Sequence, residues 1–442
     1  MSPAEGRGRT RPSAVFRKRT ELVLHRTIWS FPVLGDFRRV PRVPPNVKFA
    51  GGFDENAPRT GRRLYVGSFE VAKMIPIARP IITEEEKARI LAVLDSGQLA
   101  EGEEVREFER RFAEYVGVAF AVATSSGSTA LQVALEALGI GPGDQVITTP
   151  FTFVATSNAI LHCRAEPVFV DVDPATFNID PNAIEDALRS HPRVRALLIV
   201  HLFGLPCDME RIEDLASRHN LLLVEDCAQA HGAEFRGRKV GSFGHAAIFS
   251  FYPTKNLTTG EGGMVVTNDP QVARRARLLV NVGRDGEHYH YETVGYNFRM
   301  SNLAAAMGLA QLSQLEARNE ARRRNARVLS EGLADLPWLK LPKEPPGYRH
   351  VYNQYTLRVP GRRDDLLRYL RGEGIGCRVY YPEVIPKTPA YQKLGFGGTF
   401  PHAERLTQEV LSIPVHPALS EGELQTVIAA IRAFPFGEEP RG

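Results

Sequence analysis

The sequence predicts an α/β protein: a large domain with a seven-stranded, mostly parallel sheet, followed by a smaller C-terminal α/β domain. Three observations carry this. Seven short apolar runs follow one another between residues 118 and 268, and the first five alternate with stretches of helical period. Continuous apolar strands separated by helices belong to a sheet covered on both faces. The last two runs lie too close together for a crossover, which makes them antiparallel neighbours. A chain of 442 residues also exceeds what one core normally holds.

Ordered patterning begins at Met74, in "MIPIARPIITEEEKARI". Thr83 and Glu86 form a capping box that opens a helix, and Gly97 closes it. The next helix places Val105, Phe108, Phe112 and Tyr115 on one face and stops at Gly117. The apolar runs are 118–124, 145–149, 167–172, 196–203, 221–226, 246–251 and 263–268, with helical stretches such as 128–138, 154–162 and 208–219 between the earlier ones. From 302 to 333 one or two long helices lead from the large domain (74–320) to the small one (321–442). The small domain has its own strand at 353–359 and a terminal helix over 421–434.

Composition narrows the class. The chain is 43% hydrophobic and 24% charged, an ordinary globular balance. No apolar run reaches the roughly 18–20 residues of a membrane helix. Cys163, Cys207, Cys227 and Cys377 form no C-x-x-C pair, and no histidine joins them at zinc spacing. Neither a disulfide framework nor a metal site is expected, and a reducing cytoplasm fits. Residues 1–73 carry 15 Lys/Arg against 6 Asp/Glu, while the remainder is mildly acidic. Four readings of that basic segment compete: a disordered nucleic-acid-binding tail, a targeting peptide, a small structured extension, or upstream sequence foreign to the native protein. The last is preferred, with Met74 as the true start.

Ligands of open α/β sheets bind beyond the carboxyl ends of the strands, so polar residues there are the candidates. After the first run, "TSSGSTAL" brings Ser125, Ser126, Gly127 and Ser128 into a helix. Such a junction aims free amides and a helix dipole at an anion such as phosphate, although simple capping by serine also accounts for it. After the fifth run stand Asp226 and Gln229. Asp226 is either an N-cap or a carboxylate anchored to hold a cationic ring nitrogen, with Gln229 steadying a ring oxygen. After the sixth run, "FSFYPTKNLTTGEGG" carries Ser250 and Lys255. A free lysine has a pKa near 10.4, so only about one in a few thousand is a neutral amine at pH 7. A reacting lysine must therefore be desolvated or held as a Schiff base. Serines for a phosphate, an anchored aspartate and a strand-end lysine are together what pyridoxal phosphate (PLP) requires. Phe153 either covers that ring or packs in the core.

These residues resemble the DegT–DnrJ–StrS nucleotide-sugar aminotransferases, PLP enzymes of the aspartate-aminotransferase fold (fold type I). The likeness runs from Met74 almost to the C-terminus through "GQLAEGEEVREFE", "TSSGSTALQVAL", "GPGDQVITTPFTFVATSNAI", "LLLVEDCAQAHGA", "FSFYPTKNLTTGEGGMVVTND" and "VGYNFRMSNLAAAMGLAQL". It implies that Lys255 carries the cofactor as a Schiff base and that Asp226 pairs with the pyridine nitrogen. Gln229 would meet the ring hydroxyl, Phe153 would stack on the ring, and Gly127, Ser128 and Ser250 would hold the phosphate. Asn297 would reach the phosphate of a neighbouring subunit, with Arg299 as a further candidate, so a homodimer with shared active sites is expected. Two departures stand out: Ser128 where threonine is common, and Pro386 where many members carry a histidine near the sugar.

The expected activity is transfer of an amino group, from glutamate, to a nucleotide-linked keto-sugar. The "EGGMVVTND" and "GYNFRM" stretches look most like perosamine synthases, which points to a 4-keto-6-deoxyhexose. A 3-keto-sugar or cyclitol aminotransferase is the alternative. A PLP-dependent sugar dehydratase is disfavoured because such enzymes typically replace the lysine with histidine, and a non-catalytic PLP-binding regulator is disfavoured by the complete constellation. Neither nucleic acid nor membrane is expected as a partner of the body.

Overall fold

Each strand of the main sheet packs on both faces because its side chains alternate between two cores. In a computed structural model, which describes residues 74–285 and 289–437, the chain runs through α1 (Glu84–Ser96), α2 (Glu103–Val116), β1 (Phe120–Thr124), α3 (Gly127–Ala137), β2 (Gln145–Thr148), α4 (Ala155–His162) and β3 (Glu166–Phe169). It continues through α5 (Pro181–Ser190), β4 (Val194–Val200), α6 (Met209–Arg218), β5 (Leu222–Asp226), β6 (Glu234–Phe235), β7 (Arg238–Lys239), β8 (Ala246–Ser250), β9 (Gly263–Thr267) and α7 (Pro270–Val280). Two long helices follow, α8 (Asn302–Ser313) and α9 (Leu315–Leu333). The C-terminal part comprises β10 (Tyr348–Arg349), β11 (Tyr355–Arg358), α10 (Arg363–Gly372), α11 (Pro389–Lys393), α12 (Pro401–Glu409), β12 (Val410–Ile413) and α13 (Glu421–Ala433). The basic segment 1–73 and its four readings lie outside the described residues.

The main sheet has seven strands in the order β1-β9-β8-β5-β4-β2-β3. All neighbours are parallel except β9, which runs antiparallel to both β8 and β1. The expected β8–β9 reversal is present. The pairing of β1 with β9 was not legible, because nothing local to either strand names its neighbour. Ala196, Leu198, Val224, Ile248 and Val265 point to the core under α3, α4 and α7. Their neighbours Ala247, Phe249, Met264 and Val266 face α2 and α8, while Leu197, Ile199 and Leu223 face α6.

The local start and stop signals work as their chemistry requires. Thr83 caps α1 in a box with Glu86, and Gly97 ends it in the left-handed region at φ 68°. The long helical stretch resolves into two helices that part at Gln314. The first residue of α9, Leu315, packs against the large sheet, whereas Ala326, Leu329 and Leu333 belong to a second core with Leu357, Leu411, Val427 and Ile431. That core lies on the β11–β12 pair. No helix among the described residues is long and apolar enough to cross a membrane.

Candidate active site

Register decides what meets at the carboxyl edge of the sheet. Thr124, the last residue of β1, and Ser250, the last of β8, both pair with Gly263. Asp226 ends β5 beside Ile248 on β8. The serine–glycine junction, the aspartate and the lysine segment therefore share one edge, as Ser125–Ser128, Asp226 and Ser250–Lys255 require.

The junction into α3 separates capping from anion binding. Ser126 is the N-cap: its Oγ accepts from the Thr129 amide at 3.2 Å, and the Thr129 hydroxyl answers from the other side. The capping reading thus holds for Ser126 and leaves Ser128 exposed beside the helix N-terminus. Gly127 is buried against Ser250, and a Cβ there would stand 2.6 Å from the Ser250 Cβ and 2.9 Å from its Oγ. Only a residue without a side chain lets the helix start this close to β8. Gly127→Ala is expected to cost about 1–3 kcal/mol through overpacking, seen as a lower melting temperature. An unchanged melting temperature would contradict the close approach.

Asp226 is no helix cap, since no helix follows β5 before β6. Its Oδ1 accepts from the Ala228 amide at 3.0 Å, and its Oδ2 accepts from the Thr156 hydroxyl at 2.9 Å. Burial raises its carboxyl above the usual range, and the Ala228 amide, the Thr156 hydroxyl and Lys255 work against that rise. The preceding residue, Glu225, is fully buried. It accepts from the amides of Gly241, Phe243 and Gly244 at 2.8 Å each, and from His201 Nε2 at 3.0 Å. The Cys207 amide donates to His201 Nδ1, which fixes the proton on Nε2. His201, Glu225 and Cys227 lie close enough to suggest ligands, yet both histidine nitrogens and both carboxylate oxygens are already engaged. This node clamps the end of β5, and with it Asp226.

Lys255 lies in the segment between β8 and β9. Burial pushes its amine down to about 8, with Asp226 pulling the other way. The segment is tied to the sheet at one residue: the Phe251 carbonyl accepts from the Thr259 amide and the Thr258 hydroxyl at 2.9 Å, and its amide donates to Gly262. His231, packed against the rings of Phe249 and Phe251, is pushed down to about 3, chiefly by burial and then by the Lys255 charge. It stays neutral at physiological pH and does not compete with Lys255 for a proton.

Gln229 is buried with its amide fully oriented. Its Oε1 accepts from the Phe203 amide at 2.9 Å, and its Nε2 donates to the Tyr381 hydroxyl at 3.1 Å. Phe153 is 56% exposed, so the core-packing alternative fails, and the buried aromatic of that stretch is Phe151. Asn297 is exposed and bridges to Asn281 through the backbone, while Arg299 donates to the Asn281 side chain at 2.9 Å. Pro386 is buried in a short turn after Ile385, whose amide donates to the Pro150 carbonyl. Sequence reasoning missed Thr156 and Tyr381. Thr156 sat inside a quoted motif, but its partner is 70 residues away.

A mixed sheet with lysine, aspartate and a glycine–serine helix start at one edge defines an enzyme of the fold-type-I aminotransferase class. The chain matches the DegT/DnrJ/EryC1/StrS aminotransferase family model over residues 80–432 and belongs to that family. It is 40% identical over 365 residues to a GDP-perosamine synthase of Caulobacter vibrioides, covering 81% of this chain and 97% of that one. It is 42% identical over 352 residues to a dTDP-3-amino-3,4,6-trideoxy-alpha-D-glucose transaminase of Streptomyces venezuelae, covering 79% and 92%. The solved structure of Streptomyces venezuelae DesV in complex with a ketimine intermediate superposes with a TM-score of 0.76 at 42% identity, covering 79% of this chain and 94% of that one. The family and fold expected from the motifs are those found.

Proposed function

We propose that this chain is a PLP-dependent aminotransferase that moves an amino group from glutamate to a nucleotide-linked keto-sugar, a 4-keto-6-deoxyhexose. The observation that carries it is the opposed pair at the sheet edge: a buried carboxylate on β5 and a half-buried amine after β8 that each shift the other's proton affinity. Family membership and the perosamine synthase likeness support the sugar class. A second reading, amination at carbon 3, is favoured by the likeness to the 3-amino-sugar transaminase.

The residues fit the cofactor. Gly127 leaves a cradle that a Cβ would fill. Ser126 uses its side chain on Thr129, so the first amides of α3, the Ser128 hydroxyl and the Ser250 hydroxyl are the donor set for a phosphate. When bound, PLP supplies a carbonyl that captures amines and a cationic ring that withdraws electrons from the carbon bearing them. Asp226 would hold the proton at the ring nitrogen, Gln229 would orient the ring hydroxyl, and Phe153 would cover one face. Lys255 Nζ would hold the cofactor at rest and, when free, would take the proton from the donor's α-carbon and deliver it to the cofactor carbon that bears the amine. Asn297 and the exposed Tyr289, Tyr291 and Val294 lie on one segment, and a second copy of the chain covers them in a homodimer. Sedimentation is expected to give twice the monomer mass, and a monomer with full activity would contradict this.

The first test is an absorbance spectrum of the protein with PLP, before and after glutamate, followed by a screen of 4-keto and 3-keto nucleotide sugars. The expected result is a lysine-linked band that glutamate converts. Absence of that band would overturn the cofactor assignment. The pH dependence has a definite sign. Lys255 reacts as the neutral amine, so the rate of PLP attachment rises tenfold per pH unit up to about pH 8 and then levels off. An ordinary lysine would level off only near 10.4.

A further inference from the structure

Gln229 is gripped from two sides by parts of the chain that are far apart. Its Oε1 accepts from the Phe203 amide at 2.9 Å, and an amide N–H can only donate, so the carboxamide cannot be turned over. Phe203 itself stands in the left-handed region at φ 59°, a conformation unfavourable for a residue with a side chain. Its carbonyl is pinned in turn by the Gln354 amide at 3.2 Å. Strain of this kind collects where a site needs a group fixed. On the other side, Gln229 Nε2 donates to the Tyr381 hydroxyl at 3.1 Å, across 152 residues of sequence. Gln229 is the only hydrogen-bond partner of that hydroxyl among the described residues. The Tyr381 ring is set edge-on to Phe151, with centroids 6.0 Å apart and planes at 82°. Burial raises the Tyr381 hydroxyl above the ordinary tyrosine range, so it is neutral at physiological pH.

We propose that Tyr381 is a positioning residue of the cofactor site: by accepting one of the two Gln229 amide protons, it aims the other at the ring oxygen of bound PLP. This rests on the cofactor reading proposed above. A carboxamide nitrogen carries two donors in one plane. With Oε1 on Phe203 and one N–H on Tyr381, that plane is fixed at both ends and the second N–H has a single direction. Held by Phe203 alone, the amide would pivot about one bond and its donors would turn to solvent. A donor fixed on an oxygen stabilises the deprotonated form of that oxygen and lowers its basicity. In PLP joined to a lysine, the ring oxygen shares the proton on the linking nitrogen. Tyr381 therefore acts, through Gln229, on the pH at which that nitrogen gives up its proton.

The test follows the lysine-linked absorbance band against pH in the PLP-loaded wild type, Tyr381→Phe, Gln229→Asn and the double variant. Tyr381→Phe removes one oxygen and keeps the ring against Phe151. Without its donor the ring oxygen becomes more basic, so the pH midpoint of the band is expected to rise by about half a unit to one unit, the size of one lost hydrogen bond. Calorimetry gives a readout independent of turnover: PLP affinity is expected to fall by about two- to tenfold. Asparagine at 229 is too short to span both partners, so adding Tyr381→Phe to Gln229→Asn is expected to shift the midpoint no further. An equal shift in that background would show that Tyr381 does not act through Gln229 and would overturn the proposal. So would an unmoved midpoint in Tyr381→Phe, including one accompanied by a lower melting temperature, which marks a merely structural role. Where Tyr381→Phe does not fold, 3-fluorotyrosine in place of Tyr381 keeps the shape and makes the oxygen a poorer acceptor. A smaller rise of the midpoint is then expected, and a fall, the sign of a stronger donor acting directly on the cofactor, would overturn the assignment. If the wild type forms no lysine-linked band, the PLP reading fails and this proposal with it; a wild-type band with an unmoved midpoint removes Tyr381 alone.

Discussion

Lys255→Ala is expected to lower amino transfer by upwards of ~10⁴-fold, the largest effect of any single change in this chain. Two contributions disappear together: the amine that holds the cofactor at rest, and the base that moves the donor's α-proton. The surroundings offer no substitute, because the neighbouring His231 is neutral and held near 3. The variant should still bind PLP through the start of α3 and Asp226, so calorimetry would report binding where absorbance reports no lysine-linked band. Loss of the cationic neighbour should also push the Asp226 carboxyl further up, since Lys255 is one of the groups that lower it. Turnover within tenfold of wild type would remove Lys255 from the chemistry altogether.

Asp226→Asn is expected to lower turnover by about 10²–10⁴-fold, the range typical for a group that stabilises developing charge in a water-poor site. Its signature is a pair of opposite changes. Asp226 is the group that raises the Lys255 amine against the pull of burial. Without its charge, Lys255 becomes neutral at lower pH, and PLP attachment should level off below about 8. Attachment at lower pH combined with collapsed turnover separates an electrostatic role from misfolding, which would impair both. If the attachment profile did not move, the coupling between the two residues would be refuted.

Much of this was legible in the sequence, for reasons that differ by element. The seven strands and the antiparallel return of β9 follow from apolar runs and their spacing, which are local properties. The helix α5 was covered only by the general reading of helical stretches between the early runs, and α7 was not named, although each begins with a capping aspartate followed by proline, Asp180–Pro181 and Asp269–Pro270. The short β6, β7 and β10 strands carry two residues each, too few for any period to show. Within the site, Asp226, Gln229, Ser250 and Lys255 were visible because strand ends collect ligand-binding groups. The capping alternative for Asp226 failed because the chain turns instead of entering a helix. Thr156 and Tyr381 were not visible. Each matters through a partner far along the chain, and only the fold supplies that partner.

The tie at Phe251 has a consequence for how the molecule behaves over time. Both ends of the segment carrying Lys255 are built into adjacent strands, and its middle is bound back to the same residue, so it has no small-scale way to open. The amides of Phe251 and Thr259 should therefore exchange with solvent deuterium only through the largest unfolding events, as slowly as the central strands. A protease would find no nicking point there while the sheet is intact.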